Sequence, residues 1–210
     1  MIRVVILADT HGQLDRRIER LVRDCDIAVH GGDIGNARVL ARLQPRSGRV
    51  HAVRGNNDIP GKWPDGEQML LEKLPRQRVL DLPGGRLVIV HGHRTAATSR
   101  HARLRQLHPH ARAIVYGHSH RLVSDCEHLP WVLNPGAAGH ARTFGGPSCL
   151  ILAATPTDWH VETHRFEPIG KRPTRNRTEA TAKTGTSTKA NTNSGKDGVR
   201  HSDAVGASGR

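Results

Sequence analysis

The sequence predicts an α/β domain of two packed sheets flanked by helices over residues 1 to about 167, followed by a basic low-complexity tail at 168–210. Three observations carry that prediction. The first third of the domain runs strand, helix, strand, helix, strand, an alternation that argues for parallel pairing with helices on the faces. The remainder is mostly short strand-like runs separated by turn residues, enough for a second sheet. Beyond Pro168 large apolar side chains almost disappear. That segment cannot bury enough surface to offset the entropy of ordering it, so it is expected to be disordered.

Residues 2–7, IRVVIL, are apolar and largely β-branched without alternation, the pattern of a strand covered on both faces. Leu14, Ile18, Leu21 and Val22 follow at i, i+4, i+7 and i+8 with charged residues between them, forming one stripe of a helix that packs on a sheet. Residues 27–30 give a second strand, residues 37–43 a second helix and residues 50–53 a third strand. In the second half, residues 69–74, 77–82, 86–90, 113–116, 131–133, 149–153 and 159–166 all read as strands, and only 98–107 as a helix. Pro83-Gly84-Gly85 is a hairpin turn between two of these strands. The alternation in the final run, WHVETHRF, marks an antiparallel strand with one face in water.

Charge divides along the same boundary. The tail holds nine Lys/Arg against three Asp/Glu, so +6 of the chain's +13 lies there and +7 on the body. A basic extension attracts nucleic acid, acidic lipid or polyphosphate, and a solubilising extension without a partner fits its composition equally. The tail has no aromatic residue on which a base could stack. Cys25, Cys126 and Cys149 are far apart, odd in number and free of CxxC spacing. They argue against a disulfide framework and for a reduced, cytoplasmic compartment. The N-terminus is apolar for only a handful of residues before Asp9, too few for a cleavable signal peptide, and no run approaches the ~20 apolar residues of a membrane span. A soluble protein is expected, with a homo-oligomer left open.

Chemistry-bearing residues gather where the apolar runs stop. Asp9 and His11 follow the first strand, Gly31-Gly32-Asp33 the second, and Gly55-Asn56-Asn57-Asp58 the third. Each has an ordinary alternative: a helix-capping Asp, a turn Asp, a Gly-Asn turn. The histidines tip the balance. His91-Gly92-His93 follows RLVIV and Gly117-His118-Ser119-His120 follows AIVY, and a buried imidazole needs a partner for each ring nitrogen. Carboxylate oxygen with imidazole nitrogen suits Mn, Fe, Zn, Co or Ni better than Ca. His101, His108, His110, His128, His140, His160, His164 and His201 lie in polar or basic contexts and are expected at the surface.

Asp-x-His, Gly-Asp, Gly-Asn-x-Asp, His-Gly-His and Gly-His-x-His, in this order over residues 1 to about 166, resemble the calcineurin-like metallophosphoesterase superfamily, and within it the small bacterial and archaeal phosphodiesterase branch. The resemblance implies a four-layer α/β/β/α sandwich and two divalent cations. One would be held by Asp9, His11, Asp33 and His120 and the other by Asp33, Asn56, His91 and His118, with Asp33 as the bridge. Mn2+ is expected first, with Ni2+, Co2+, Fe2+, Zn2+ and Mg2+ as alternatives. The implied activity is hydrolysis of a small phosphorylated substrate, a phosphodiester before a phosphomonoester, by a hydroxide bridging two ions ~3.5–4 Å apart. Catalytic roles fall to Asp33, Asn56, Asp58 and His93, with Asp58 orienting a ligand. Asn57, His93 and Arg142 are the expected phosphate contacts.

Two positions depart from the pattern. Many superfamily members carry His where this chain has Asn57, and an amide cannot act as a general acid at neutral pH. The departure points toward substrates with good leaving groups and fits the small branch. In Asn134-Pro135-Gly136, the Ser that usually follows is Ala137. Two alternatives stay open: a metal-binding scaffold without turnover, since the superfamily includes a trafficking-complex subunit that has lost ligands, and a nuclease retained on nucleic acid by the basic tail.

Overall fold

The computed structural model describes residues 1–168, so the expected disorder of 168–210 lies almost wholly outside the described residues. Ten strands form two mixed sheets. The first has the order β10 (Trp159–Arg165), β9 (Ser148–Ala154), β1 (Ile2–Leu7), β2 (Ile27–His30) and β3 (Arg49–Ala52). The second has the order β4 (Gln77–Leu82), β5 (Gly85–Val90), β6 (Ala113–Val115), β8 (Trp131–Pro135) and β7 (Leu122–Asp125). Three adjacent strands of each sheet are parallel: β1 with β2 and β2 with β3 in one, β5 with β6 and β6 with β8 in the other. The flanking strands β9, β10, β4 and β7 are antiparallel to their neighbours.

The lack of alternation in IRVVIL has the expected cause. Val4 and Ile6 face the second sheet, in a core with Val29, Leu87, Ile89, Val115, Leu133 and Leu152. Val5 and Leu7 face the other way, against Leu14, Ile18 and Val22 of the first helical segment. That helix, α1 (Arg16–Arg23), starts where the Asp15 carboxylate accepts the Arg17 N–H, removing one orphan donor of the first turn. Helix α2 (Ala37–Arg42) is capped in the same way by Asn36 on the Val39 N–H. Helix α4 (Arg100–Leu107) covers the outer face of the second sheet through Leu104, packed with Val88, Ile114, Tyr116 and Val132. The layers are therefore helix, sheet, sheet, helix. Among the described residues no helix is long and apolar enough to cross a membrane.

Two elements differ from the sequence reading. Residues 69–74 are not a strand: helix α3 (Gln68–Lys73) occupies them, burying Leu71 against Ile34, Val39, Ala52 and Trp63 while Met69 and Leu70 face water. A short apolar run has no periodicity that separates a strand from a helical turn. Strand β7 was not expected, because LVSD carries only two apolar residues and earns its place by pairing along β8 at the sheet edge.

Candidate metal centre

Five parallel strands deliver a ligand motif at their carboxyl ends: β1 to Asp9 and His11, β2 to Asp33, β3 to Asn56, β5 to His91 and β6 to His118 and His120. Loops at the carboxyl ends of parallel strands are where α/β sheets bind ligands. The two sheets meet there, and the His118 N–H from the second donates to Asp9 Oδ1 from the first at 3.1 Å.

The backbone at these loops is unusual. Asp9, His11, Asp33, His118, His120 and Arg142 are the non-glycine residues with positive φ among the described residues, between 46° and 66°. An L-residue in that region costs roughly 1–2 kcal/mol, and such strain clusters where a side chain must be aimed. Here it falls on five of the seven expected ligands and on the expected phosphate-binding arginine. Glycine makes the approach possible elsewhere: a Cβ on Gly55 would collide with the Asp33 carboxylate, and one on Gly32 would stand 2.7 Å from His91 Nδ1.

The donor atoms converge. His11 Nε2 lies 3.2 Å from His120 Nε2 and 3.9 Å from Asp33 Oδ2. His120 Nε2 is 3.6 Å from Asp9 Oδ1. His91 Nε2 lies 3.4 Å from Asp33 Oδ1 and 3.1 Å from Asn56 Oδ1, and His118 Nδ1 is 2.8 Å from the same Asn56 oxygen. Among the described residues two groups have ligand atoms within 4.8 Å of one another: Asp9, His11 and His120, and Asp9, Asp33 and His91. Asp9 is common to both groups, whereas the resemblance makes Asp33 the shared ligand. Asp33 nonetheless turns one oxygen toward His11 and the other toward His91, so both carboxylates lie between the two halves.

This donor set fits a pair of divalent cations. Asp9 is fully buried and its Oδ2 accepts no hydrogen bond, and His120 Nδ1 likewise has no partner. An ionised carboxylate left so is costly unless a cation pairs with it. Burial pushes the Asp9 carboxyl up to about 7, Asp33 adds to the rise, and His91 and the His118 N–H oppose it. Burial also works against ionisation of Asp33, but the bond and charge of His91, with two hydrogen bonds from Asn57, hold that carboxyl well below the usual carboxylate range. His91, buried but facing both carboxylates, is raised above an ordinary imidazole. His120 is pushed down to about 4 by burial and then by Arg142 and His11, leaving its nitrogens neutral and available as donors.

The residues assigned to substrate or orientation are placed differently from the ligands. Asp58 does not face the donors: its oxygens accept the N–H groups of Ile34, Gly35 and Gly55 and the Trp63 indole N–H, tying the loop after β2 to the loop after β3. Asn57 is spent on Asp33, its backbone and amide nitrogens donating to the two oxygens at 2.8 and 2.7 Å. These two bonds fix the orientation of the Asp33 carboxylate. His93 leans on His91 with ring centroids 5.5 Å apart and has an unpartnered Nδ1. Arg142 Nη2 donates to His11 Nε2 and His120 Nε2 at 3.3 Å each, which sets a guanidinium beside that donor pair.

His30 escaped the sequence reading. It is fully buried, contacts Thr10 Oγ1 through Nε2 at 2.9 Å and accepts the Gly32 N–H on Nδ1, and burial pushes it down to about 4. Its only signal was its place as the last strand residue before Gly31-Gly32-Asp33. His101 is not a free surface residue: it bridges Asp125 Oδ2 at 3.2 Å and the Tyr116 hydroxyl at 3.0 Å. His140 is exposed but pairs with Asp15 at 3.5 Å, and His201 lies outside the described residues. A cavity of about 660 Å³ is lined by Gly12, Asp15, Arg38, Arg42 and His140 and by none of the expected ligands. His91, His118 and His120, Asn56, and His11 with Asp33 line smaller openings.

A model of the calcineurin-like phosphoesterase superfamily domain matches residues 2–156. The chain belongs to that superfamily. Solved structures share the fold at low identity. A novel archaeal phosphodiesterase is 21% identical with a TM-score of 0.56, over 78% of this chain and 100% of that one. A conserved uncharacterised protein and predicted phosphoesterase of Streptococcus pneumoniae is 22% identical with a TM-score of 0.54, over 78% and 89%. Vps29 of Entamoeba histolytica, solved in complex with Zn2+, is 19% identical with a TM-score of 0.57, over 79% and 98%. No curated protein matches the sequence. At these identities the likeness concerns the fold; the site rests on the donors described above.

Proposed function

We propose that the protein is a divalent-metal-dependent phosphoesterase acting on phosphodiesters before phosphomonoesters. The observation that carries the reading is the pair of Asp/His groups, Asp9 with His11 and His120 and Asp9 with Asp33 and His91, that share a buried carboxylate with an unpartnered oxygen, with Asn56 and His118 beside His91. Asp9, His11, Asp33 and His120 would hold one ion and Asp33, Asn56, His91 and His118 the other, with Mn2+ the first candidate for this mixed oxygen and nitrogen set. When bound, such ions supply Lewis acidity toward a phosphoryl group and toward water at neutral pH. The chain contributes the rest. Asn57 fixes Asp33 through both oxygens, Asp58 locks the two loops that carry Asp33 and Asn56, and Arg142 offers a guanidinium to the phosphate beside His11 and His120. None of these is an acid placed to protonate a poor alkoxide leaving group, which favours esters whose leaving group departs unassisted.

The test is hydrolysis of bis-p-nitrophenyl phosphate and p-nitrophenyl phosphate with Mn2+, Ni2+, Co2+, Zn2+ and Mg2+, with a chelator control. The expected result is metal-dependent cleavage, faster on the diester and abolished by the chelator. Stoichiometric metal binding without turnover of either ester would favour a scaffold role, and hydrolysis surviving in metal-free protein would sink the reading.

A further inference from the structure

We infer that the cavity beside Phe144 is a nucleobase subsite, so that the diester handled at this centre carries a nucleoside; the inference rests on the phosphodiesterase reading and narrows its substrate class. The chain has two Phe, three Trp and one Tyr, and Trp63, Tyr116 and Trp159 are buried while Trp131 and Phe166 are half-buried. Phe144 alone is exposed, at 50%.

A single exposed apolar residue is ordinary; its position here is not. Phe144 lines a cavity of about 400 Å³ with His118, Ser119, His120, Arg142 and Thr143. Two metal-type ligands and the aromatic ring thus line one cavity. The Arg121 guanidinium lies over the ring, 4.4 Å from its centroid, bracing it as a platform. No carboxylate lines the cavity, so an anion entering it meets no like charge.

The arrangement selects among aromatic ligands. Phe144 and Arg142 line the same cavity as the ligand histidines, so a phosphate and a ring held there are separate points of one ligand. An aryl phosphate puts its ring directly on the phosphoryl oxygen, whereas a nucleotide inserts a ribose. With the phosphate at Arg142 and the ligand cluster, the base reaches Phe144. Stacking of a base on an aromatic side chain is sequence-tolerant, because every base presents a π-face.

The full-length, Mn2+-loaded protein is titrated by calorimetry with adenosine 5′-monophosphate and with ribose 5-phosphate, which differ only in the base. Wild type is expected to bind the nucleotide roughly 10-fold more tightly, the scale of one base–aromatic stack. Phe144→Ala should erase that preference while leaving ribose 5-phosphate affinity unchanged, and Phe144→Trp should retain it. Equal affinities in wild type, or a preference that survives Phe144→Ala, would overturn the inference. Both readouts are independent of turnover. A preserved base preference with no diester cleavage would condemn the phosphodiesterase reading alone, and cleavage without a base preference would condemn the subsite alone.

Discussion

At the residue scale the site is decided by two carboxylates with opposite fates. Asp33 has partners for both oxygens and stays ionised, while Asp9 has a buried oxygen with none and holds its proton up to about 7. A cation entering the site must displace that proton, and the one held by His91 when it is charged, so affinity should climb as pH rises toward neutrality, by about tenfold per unit for each proton released. Titration with Mn2+ in two buffers of different ionisation enthalpy measures the released proton; affinity that is flat below neutrality would contradict the burial argument. Asp33→Asn removes a ligand facing both His11 and His91, and is expected to abolish turnover and weaken both metal sites, whereas His91→Ala should empty mainly one. Metal stoichiometry by elemental analysis separates the two variants. The residues that converge at the site were legible in the sequence because they sit in strand-end motifs. The contacts of Asn57 and His30 were not, since each depends on a partner at least 20 positions away, Asp33 for one and Thr10 for the other.

At the scale of elements, the loops after β2 and β3 act as one unit through Asp58. This buried carboxylate collects four N–H donors from Ile34, Gly35, Gly55 and Trp63. Asp58→Ala would strand all four, and each buried donor without a partner costs about 1–3 kcal/mol. The expected outcome is a thermal shift well beyond that of a surface substitution, together with loss of metal, because Asp33 and Asn56 ride on the same loops. A variant that keeps wild-type stability and metal content would show that the loops hold without it. Gly55→Ala should lose metal by another route, pushing the Asp33 carboxylate aside, with less effect on the core. The elements themselves were read well where a helix had a full apolar stripe, as α1 does with Ile18, Leu21 and Val22. They were misread at α3, where one buried leucine and its flanking apolar residues fit a strand equally until Trp63 and Ile34 arrive from other loops.

At the scale of the molecule, the core closes before the basic extension begins. Strand β10 ends at Arg165, and Phe166 packs on the cluster that holds α1. The superfamily match ends at residue 156, and every candidate ligand lies within it. What the sequence gives for 168–210 is charge: the net there is +6, nearly half of the chain's +13. A chain ending at residue 168 is therefore expected to melt within ~2 °C of full length, the scale of a surface change, and to cleave small diesters at the same rate. Its affinity for a single-stranded oligonucleotide should fall, and so should the slope of that affinity with salt, because fewer counterions are released. Binding isotherms at several salt concentrations measure both. An unchanged slope would assign the polyanion contacts to the arginines of the folded body. A drop in diester turnover would mean that the extension reaches the catalytic edge of the sandwich and acts there as more than an electrostatic tether.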